Sequence, residues 1–390
     1  MKLMYRIVAS SAACVAGLAF ASAQAQEIKL GVHATLSGAG AVWGQAMLGA
    51  AELAADEVNA KGGLEVAGKK YRVVVTSYDD KYKANDAVTA MNRLINDDKI
   101  KFVVGPLGSA AAVAVLPMAT DDKVITMTMA FTPKALGKEF PYSFRPVISS
   151  AEFSDPQIAW VVKKLNVKRV GGLFPNDESG QQVGAANAKA YEKVGANFEA
   201  REYFERERVD FVPLLTRLFA KNIDTIELNG NAPTTAALIV KQAREMGFKG
   251  PIIRTGGDAT GEIVKVAGKA AAEGVYVHQT INPADAKVAD YIKRFQAKYK
   301  SEMNAFSPMF HANVQMLFGA MQQAKTTTDL DKIRDAMASM KDYETVIGKV
   351  SWSGEQAYGI KRQLDAPFYV GVIRDGVSQI VAKCTLKSCD

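Results

Sequence analysis

The sequence is poor in the residues and motifs that carry catalytic, metal or redox chemistry. Its 390 residues include three cysteines and three histidines, and the histidines are widely spaced along the chain. The nucleophile motif G-x-S-x-G is not formed around Ser109, which has Leu at the first position and Ala at the last. We therefore expect neither an enzyme nor a metal or organic cofactor.

Long apolar stretches are also scarce, and the one that exists lies at the N-terminus. Lys2 and Arg6 precede an apolar or small run over 7–20, which is too short to span a bilayer, and small residues at 21, 23 and 25 offer cleavage sites. Residues 1–25 are predicted to be a secretory signal. Cys14 follows small residues but lacks the usual leucine, which disfavours a lipoprotein.

Cys384 and Cys389 are the cysteines left after removal of the signal. In an oxidising compartment, their spacing favours a disulfide that closes a small C-terminal loop. A metal-binding pair is the alternative, but no histidine lies near them in sequence.

The charge pattern argues against a nucleic-acid partner. The chain has 48 basic and 41 acidic residues, and the basic residues alternate with acids, as at 79–83 and 205–208. Interspersed charge of this kind is typical of a solvated surface rather than a basic binding face.

The length and the apolar pattern predict two successive α/β units. Apolar strands at 28–34, 72–78, 100–105 and 124–128 alternate with amphipathic helices, and the alternation starts again with strands at 168–174, 198–204, 224–228 and 251–254. Continuous apolar strands between helices favour parallel sheets that are covered by helices on both faces. About 365 residues after cleavage exceed one ordinary core, so two lobes are expected.

Two glycine-rich turns each join a predicted strand to a helix. Gly38, Gly40 and Gly44 miss the dinucleotide fingerprint by one position, and an exported protein meets little nucleotide. The second turn, 105–109, ends at Ser109, which can cap the following helix. Glycines allow close backbone approach and a helix N-terminus attracts anions, so both turns suit a carboxylate.

Short segments along the whole mature chain resemble the leucine/isoleucine/valine-type solute receptors of ABC importers. They are Leu36–Gly38, Trp43–Gly44, Val58–Gly63, Tyr78–Asp80, Val104–Gly105 with Ser109, Thr132–Pro133, Gln242–Gly247, Ala272–Gly274 and Thr345–Gly348. The resemblance implies two Rossmann-like lobes with three hinge crossings and a ligand cleft between them. We expect lobe 1 to comprise 26–145 with 279–351, and lobe 2 to comprise 146–278 with 352–390. Candidate crossings are 142–146, 275–278 and 350–352.

The resemblance also implies a set of ligand-binding residues in the first lobe. Trp43 falls where the family walls the side-chain pocket, although a core tryptophan is the alternative. Ser109 falls on the serine that holds the ligand carboxylate. Met129, Ala130 and Phe131 fall on the segment that offers a backbone carbonyl and a threonine hydroxyl in the amino-acid receptors.

Three further site residues are carried over from the rest of the chain. Ser179 lies where the amino-acid receptors often have tyrosine, and Asp258 lies within one or two residues of the acid that meets the ligand ammonium. His311 falls near an aromatic pocket position.

The sequence departs from the family pattern at the ligand site. Phe131 cannot make the hydrogen bond of a threonine, whereas Phe131, Met129 and Trp43 offer aromatic and polarizable surface. Tyr82 and Gly108 occupy the places of the family's early disulfide. We hypothesise a small carboxylate ligand with an apolar or aromatic body that lacks an α-amino group; an amino acid is the alternative.

The resemblance further implies a periplasmic monomer that delivers its ligand to an inner-membrane ABC permease. A periplasmic sensor that passes its closed state to a signalling partner is the alternative function. A neighbouring permease gene would distinguish the two.

Overall fold

The first lobe is built on a six-stranded sheet. The computed structural model describes residues 26–299 and 303–390, so the predicted signal lies outside the described residues. The strands are β1 (Gln26–Ala34), β2 (Leu64–Val66), β3 (Lys69–Asp79), β4 (Phe102–Leu107), β5 (Ile125–Met129) and β6 (Ser143–Phe144), in the order β2-β3-β1-β4-β5-β6. Every pair is parallel except β2 with β3. The helices are α1 (Ala41–Asn59), α2 (Ala84–Asn92) and α3 (Ser109–Asp121).

The second lobe repeats the plan with seven strands. Its elements are α4 (Ser150–Leu165), β7 (Arg169–Pro175), α5 (Glu178–Lys193), β8 (Asn197–Phe204), α6 (Val212–Phe219), β9 (Thr225–Glu227), α7 (Pro233–Glu245), β10 (Ile252–Arg254), α8 (Thr260–Ala267), α9 (Lys269–Ala272) and β11 (Val275–Gln279). The sheet order is β16-β15-β11-β10-β9-β7-β8, where β15 (Phe368–Arg374) and β16 (Val377–Cys384) come from the end of the chain and pair antiparallel.

Between β11 and β15 the chain returns to the first lobe. It forms α10 (Ala286–Tyr299), α11 (Ser307–Ala324), α12 (Leu330–Ala338), β12 (Tyr343–Thr345), β13 (Gly348–Ser353), α13 (Glu355–Tyr358) and β14 (Gln363–Asp365), followed by β15 (Phe368–Arg374) and β16 (Val377–Cys384). Strands β12, β13 and β14 form a small antiparallel sheet. Buried residues of α11 and α12 share one core cluster with the first sheet. The predicted α/β class with two helix-flanked lobes is confirmed.

The chain passes between the two sheets after β6, after β11 and after β14. The candidate crossing at 142–146 contains β6 and the first two residues after it, whereas 275–278 and 350–352 lie inside strands. Trp352 and Leu364 are buried in the same cluster as the first sheet, so their packing favours placing 352–366 in lobe 1 instead of lobe 2. The first and third crossings lie side by side, because Arg145 N donates to Arg362 O and Leu364 N donates to Arg145 O, both at 3.0 Å.

Two further features bear on the sequence analysis. Cys384 and Cys389 lie next to each other with Cα atoms 4.0 Å apart, in keeping with the disulfide that we propose from their spacing. Among the described helices, none has the length and apolar character needed to cross a membrane.

Candidate functional site

A small cavity lies between the lobes at the carboxyl ends of the strands of both sheets. Its lining comprises Trp43, Tyr82, Leu107, Gly108, Met129, Phe131, Ser179, Gly230, Gly256 and Phe306. Carboxyl ends of strands are where open α/β sheets bind ligands. The cavity volume is about 20 Å³, room for about one water molecule, so the lobes must separate for an organic ligand to enter.

The N-termini of α3 and α5, one from each lobe, meet at this cavity. Ser109 begins α3 and Ser179 is the second residue of α5. Their hydroxyl oxygens are 2.9 Å apart across the cleft, and both side chains are buried. Because a helix N-terminus carries positive partial charge, two of them facing each other favour an anion between them.

The position of Ser109 depends on glycines in the turn that precedes it. Gly105 has φ +121°, and a Cβ there would lie 2.1 Å from His33 O. Gly108 has φ +93°, and a Cβ there would lie 2.9 Å from the Tyr82 ring. The loop after β5 holds the Ser109 hydroxyl, because Ser109 Oγ accepts from Thr132 N at 3.1 Å. Ser109 is thus fixed by backbone geometry that requires these glycines.

The wall supplied by the first lobe is mainly apolar. Trp43, Met129 and Phe131 line the cavity as the resemblance implied, and Phe306, before α11, joins them. Phe131 also packs edge-on against Phe153 of α4, with ring centroids 5.7 Å apart. The aromatic and thioether surface expected from the sequence is therefore gathered around one cavity.

Three of the four backbone carbonyls of the 129–132 segment accept hydrogen bonds from the protein. Met129 O accepts from Gly108 N at 2.8 Å. The Arg145 guanidinium donates to Ala130 O at 3.2 Å and to Thr132 O at 3.0 Å. Ala130 is buried behind the wall and is not among the residues lining the cavity. These hydrogen bonds fix the shape of the loop that follows β5.

A contact between Tyr82 of lobe 1 and Arg206 of lobe 2 joins the two lobes at one side of the cleft. The Arg206 guanidinium carbon lies 4.2 Å from the centre of the Tyr82 ring, and Arg206 Nε donates to the Asp177 carboxylate. Burial raises the pKa of Tyr82, so its hydroxyl stays protonated. Neither Tyr82 nor Arg206 was predicted from the sequence to be a site residue. The signal for Tyr82 was its pairing with Gly108 in place of the family disulfide, and the two positions do touch.

The wall supplied by the second lobe is made of backbone and small groups. Gly230 and Gly256 line the cavity beside Ser179. Behind them, the Arg254 guanidinium is buried and donates to Gly256 O at 2.9 Å and to Asn231 O at 2.7 Å. Burial lowers the pKa of Arg254 to about 10. This value is still well above 7, so the guanidinium is charged at neutral pH. Its positive charge close behind the cavity favours an anionic ligand.

Asp258 is not brought to this cavity. Its Oδ1 accepts from Thr260 N at 2.9 Å and from Thr260 Oγ1 at 2.7 Å, so it serves the start of α8. Gly256, two residues earlier, occupies the cavity wall. Asp258 instead lines a larger open groove of about 620 Å³ between α1 and α8. We favour the smaller cavity as the site because polar donors from both lobes converge there.

His311 is also placed elsewhere. Its ring is fully buried within the first lobe, where Nε2 lies 3.0 Å from Glu57 Oε2 and the ring packs edge-on against Tyr291. Phe306, just before α11, is the residue of this region that lines the described cavity. The helix turns His311 toward α1 rather than toward the cleft.

The comparisons with known proteins agree with this architecture. A periplasmic binding protein family model matches residues 27–377. The Leu/Ile/Val-binding protein of Escherichia coli (strain K12) is 28% identical over 347 residues, covering 87% of this chain and 90% of the relative.

Solved structures show the same fold with different ligands. The branched-chain amino acid transporter substrate-binding protein of Streptococcus pneumoniae, solved with isoleucine, is 27% identical, with a TM-score of 0.79 and coverage of 92% of this chain and 99% of that one. A solute-binding protein of an R. palustris ABC transporter, solved with benzoate, is 17% identical, with a TM-score of 0.79 and coverage of 93% and 97%. This chain belongs to the periplasmic binding protein family, in its branched-chain amino-acid type, a family of solute-binding proteins rather than enzymes.

Proposed function

We propose that this chain is exported to the periplasm, captures a small carboxylate in its interlobe cavity and delivers it to the permease of an ABC importer. The observation that carries the proposal is the meeting of two helix N-termini from opposite lobes, with Ser109 Oγ and Ser179 Oγ 2.9 Å apart. In this arrangement, one carboxylate could accept hydrogen bonds from both hydroxyls and from the first N–H groups of α3.

The two serines come from different lobes, and this links ligand binding to closure of the cleft. Ser109 belongs to lobe 1 and Ser179 to lobe 2, so a carboxylate bound to both is satisfied in the closed arrangement alone. A ligand that interacts with both lobes shifts the population toward the closed state, which is the form offered to the permease. We expect the protein to act as a monomer, which size-exclusion chromatography with light scattering would test.

The lining supports an apolar or aromatic acid without an α-amino group. No carboxylate side chain is among the residues that line the described cavity, and Gly256 stands near the place where we expected Asp258. Burying an unpaired ammonium is costly, whereas the lobe 1 wall offers aromatic surface to a ring.

The relatives leave this choice of ligand open. One solved neighbour holds isoleucine and another holds benzoate on the same fold. The fold therefore does not select between an amino acid and an aromatic acid, and selection falls to the side chains of the cavity.

Calorimetric titration of the purified mature chain with leucine, isoleucine, benzoate and 3-phenylpropanoate tests the ligand class. We expect saturable binding of at least one aromatic acid and weaker binding of both amino acids. Tight leucine binding without a response to aromatic acids would overturn the ligand assignment. Delivery is tested by uptake of the labelled ligand into cells with and without this chain, with Ser109→Ala as the control variant.

A further inference from the structure

The Trp43 indole carries a hydrogen-bond donor that is not paired with any residue that the structure describes. Trp43 is 6% exposed and lines the cavity, and its buried Nε1 finds no acceptor among residues 26–299 and 303–390. Buried tryptophan N–H groups usually have a partner, because leaving such a donor unsatisfied costs about 1–3 kcal/mol.

The packing of α1 holds Trp43 in place. The next residue, Gly44, is pressed against the chain after β1, where a Cβ would lie 1.7 Å from Thr35 O. The Tyr82 ring lies beside the indole, with centroids 6.4 Å apart at an angle of 45°. The helix therefore cannot turn to offer the indole to a different acceptor without losing this contact.

The polar groups of the cavity fall into separate places. The Ser109 and Ser179 hydroxyls meet at the two helix N-termini, and the Tyr82 ring is covered by Arg206. The other side chains around Trp43 that line the cavity, Leu107, Met129, Phe131 and Phe306, are apolar. A ligand whose carboxylate lies at the serines would present its remaining body to these apolar side chains and to the indole N–H.

We propose that the ligand carries a second hydrogen-bond acceptor, a hydroxyl, ether or oxo oxygen on its apolar body, which accepts from Trp43 Nε1–H. This inference rests on the proposed capture of an aromatic carboxylate and adds a determinant of specificity to it. Trp43 then selects an oxygen-substituted aromatic acid over the unsubstituted acid, in addition to forming a wall.

The test compares benzoate with its 2-, 3- and 4-hydroxy and methoxy derivatives by calorimetry on the mature chain. The methoxy compounds accept a hydrogen bond without donating one, so they isolate the contact to the indole. We expect at least one hydroxy isomer and the matching methoxy isomer to bind roughly 5- to 100-fold more tightly than benzoate. In Trp43→Phe the ratio between the two affinities should fall below about twofold, including where the loss of indole surface weakens the binding of benzoate itself.

Trp160→Phe is the matched control, because Trp160 lies on α4 and packs on Tyr276, away from the cavity. It should retain the advantage. A second measurement uses the unaltered chain: one of the three indole N–H signals in a nitrogen-15 correlation spectrum should shift downfield with the acceptor-bearing acid and not with benzoate.

Two results overturn the inference while leaving the proposed function intact. One is that benzoate binds and no substituted isomer binds more tightly. The other is that Trp43→Phe weakens all acids equally, which would mean that the indole acts on the carboxylate or on packing. If no carboxylic acid binds at all, the proposed function itself fails and this inference fails with it.

Discussion

The two walls of the cleft use different means to shape one cavity. Lobe 1 contributes large side chains, including Trp43, Met129 and Phe131, whereas lobe 2 contributes Gly230 and Gly256 beside one serine. We expect substitutions in the first wall to change which ligand fits. A side chain added to the second wall should occupy space that the ligand and the neighbouring backbone need. We therefore expect selectivity to depend mainly on lobe 1, and lobe 2 to supply close backbone approach.

The residues packed behind the two walls also differ, being polar in lobe 2 and apolar in lobe 1. Behind lobe 2 lies a buried polar network, in which Asn229 N donates to Glu227 Oε1 at 2.9 Å and Asn229 Nδ2 donates to Asn187 Oδ1 at 3.1 Å. These hydrogen bonds tie together the loops behind the glycine wall, although Asn229 Oδ1 and Asn187 Nδ2 are buried without a partner among the described residues. The lobe 1 wall is continuous with an apolar cluster, which tolerates exchange of side chains of similar volume.

The largest expected effect comes from adding one methyl group to the lobe 2 wall. A Cβ at Gly256 would lie 2.0 Å from Asn229 Oδ1, so Gly256→Ala must displace either the network or the wall. We expect destabilisation of about 3 kcal/mol and about 100-fold weaker ligand binding, measured by denaturant unfolding and calorimetry. Gly261→Ala is the control, because a Cβ there meets nothing within 4 Å. Unchanged binding by Gly256→Ala would show that the two walls do not differ in this way.

The next effect separates the two serines. The Ser109 hydroxyl accepts from Thr132 N and contacts Ser179, whereas Ser179 lacks the first of these contacts. Ser109→Ala leaves a buried N–H without its partner in addition to removing a ligand donor, so we expect a loss of about 2 kcal/mol, or about 30-fold in affinity. Ser179→Ala should cost about 1 kcal/mol. Equal losses in titration calorimetry would contradict the asymmetry.

Acid should destabilise the protein through its buried histidines, and His278 makes the contribution of lobe 2 measurable. Burial lowers the pKa of His278 to about 3, and its Nδ1 lies 2.7 Å from Gln157 Oε1. Below pH 6.5 the His278 imidazole binds a proton in the unfolded chain but stays neutral in the folded chain. The free energy of unfolding therefore falls as the pH is lowered. Between pH 7.5 and 5.5 this amounts to about 1.4 kcal/mol for one histidine.

In lobe 1 the buried carboxylic acid of Asp80 changes stability in the opposite direction and offsets part of this loss. Burial raises the pKa of Asp80 to about 6, which relieves the folded state of a buried charge as the pH falls, while the neighbouring His33 has its pKa lowered to about 4. His278→Phe should therefore lose about 1.4 kcal/mol less than the unaltered chain over this pH range. The measurement is the free energy of unfolding at several pH values, and parallel profiles for the two proteins would refute the assignment.

The smallest expected effect concerns the contact that joins the walls. Arg206 of lobe 2 lies over the Tyr82 ring of lobe 1 and is held by Asp177. Arg206→Gln should weaken ligand binding by about 1 kcal/mol, or about fivefold, through faster dissociation from a less stable closed form. Arg208→Gln, at an exposed position nearby, should behave like the unaltered chain. Stopped-flow dissociation rates compare the two, and equal rates would remove Arg206 from the closure mechanism.

Much of the fold could be predicted because its signals are local. Apolar strands alternating with amphipathic helices gave the two α/β units, and the 105–109 turn gave Ser109 at the start of a helix. Trp43, Met129, Phe131 and Ser179 were found through the resemblance, and they do line one cavity. These residues stand at strand ends and helix starts, where position along the chain fixes position in the fold.

The rest depended on loops and on the partner lobe. Asp258 was expected at the cavity, but the loop after β10 has no periodicity to fix its register, and Gly256 stands there instead. His311 lies on a helix with apolar residues around most of its surface, so the sequence could not show that it faces Glu57. Arg206 is 124 residues from Tyr82, and no local pattern joins them.

The amino-acid sequence by itself determined the two-lobe α/β architecture, the family and the serine at the start of α3, because short-range periodicity and backbone requirements encode them. The tertiary structure alone decided the composition of the cavity, since its walls come from loops after separate strands of two sheets. It also decided that the indole N–H of Trp43 is buried with no acceptor in the part of the chain that the structure describes. Whether a buried donor has a partner depends on every neighbour in space, and most of those neighbours are distant in sequence.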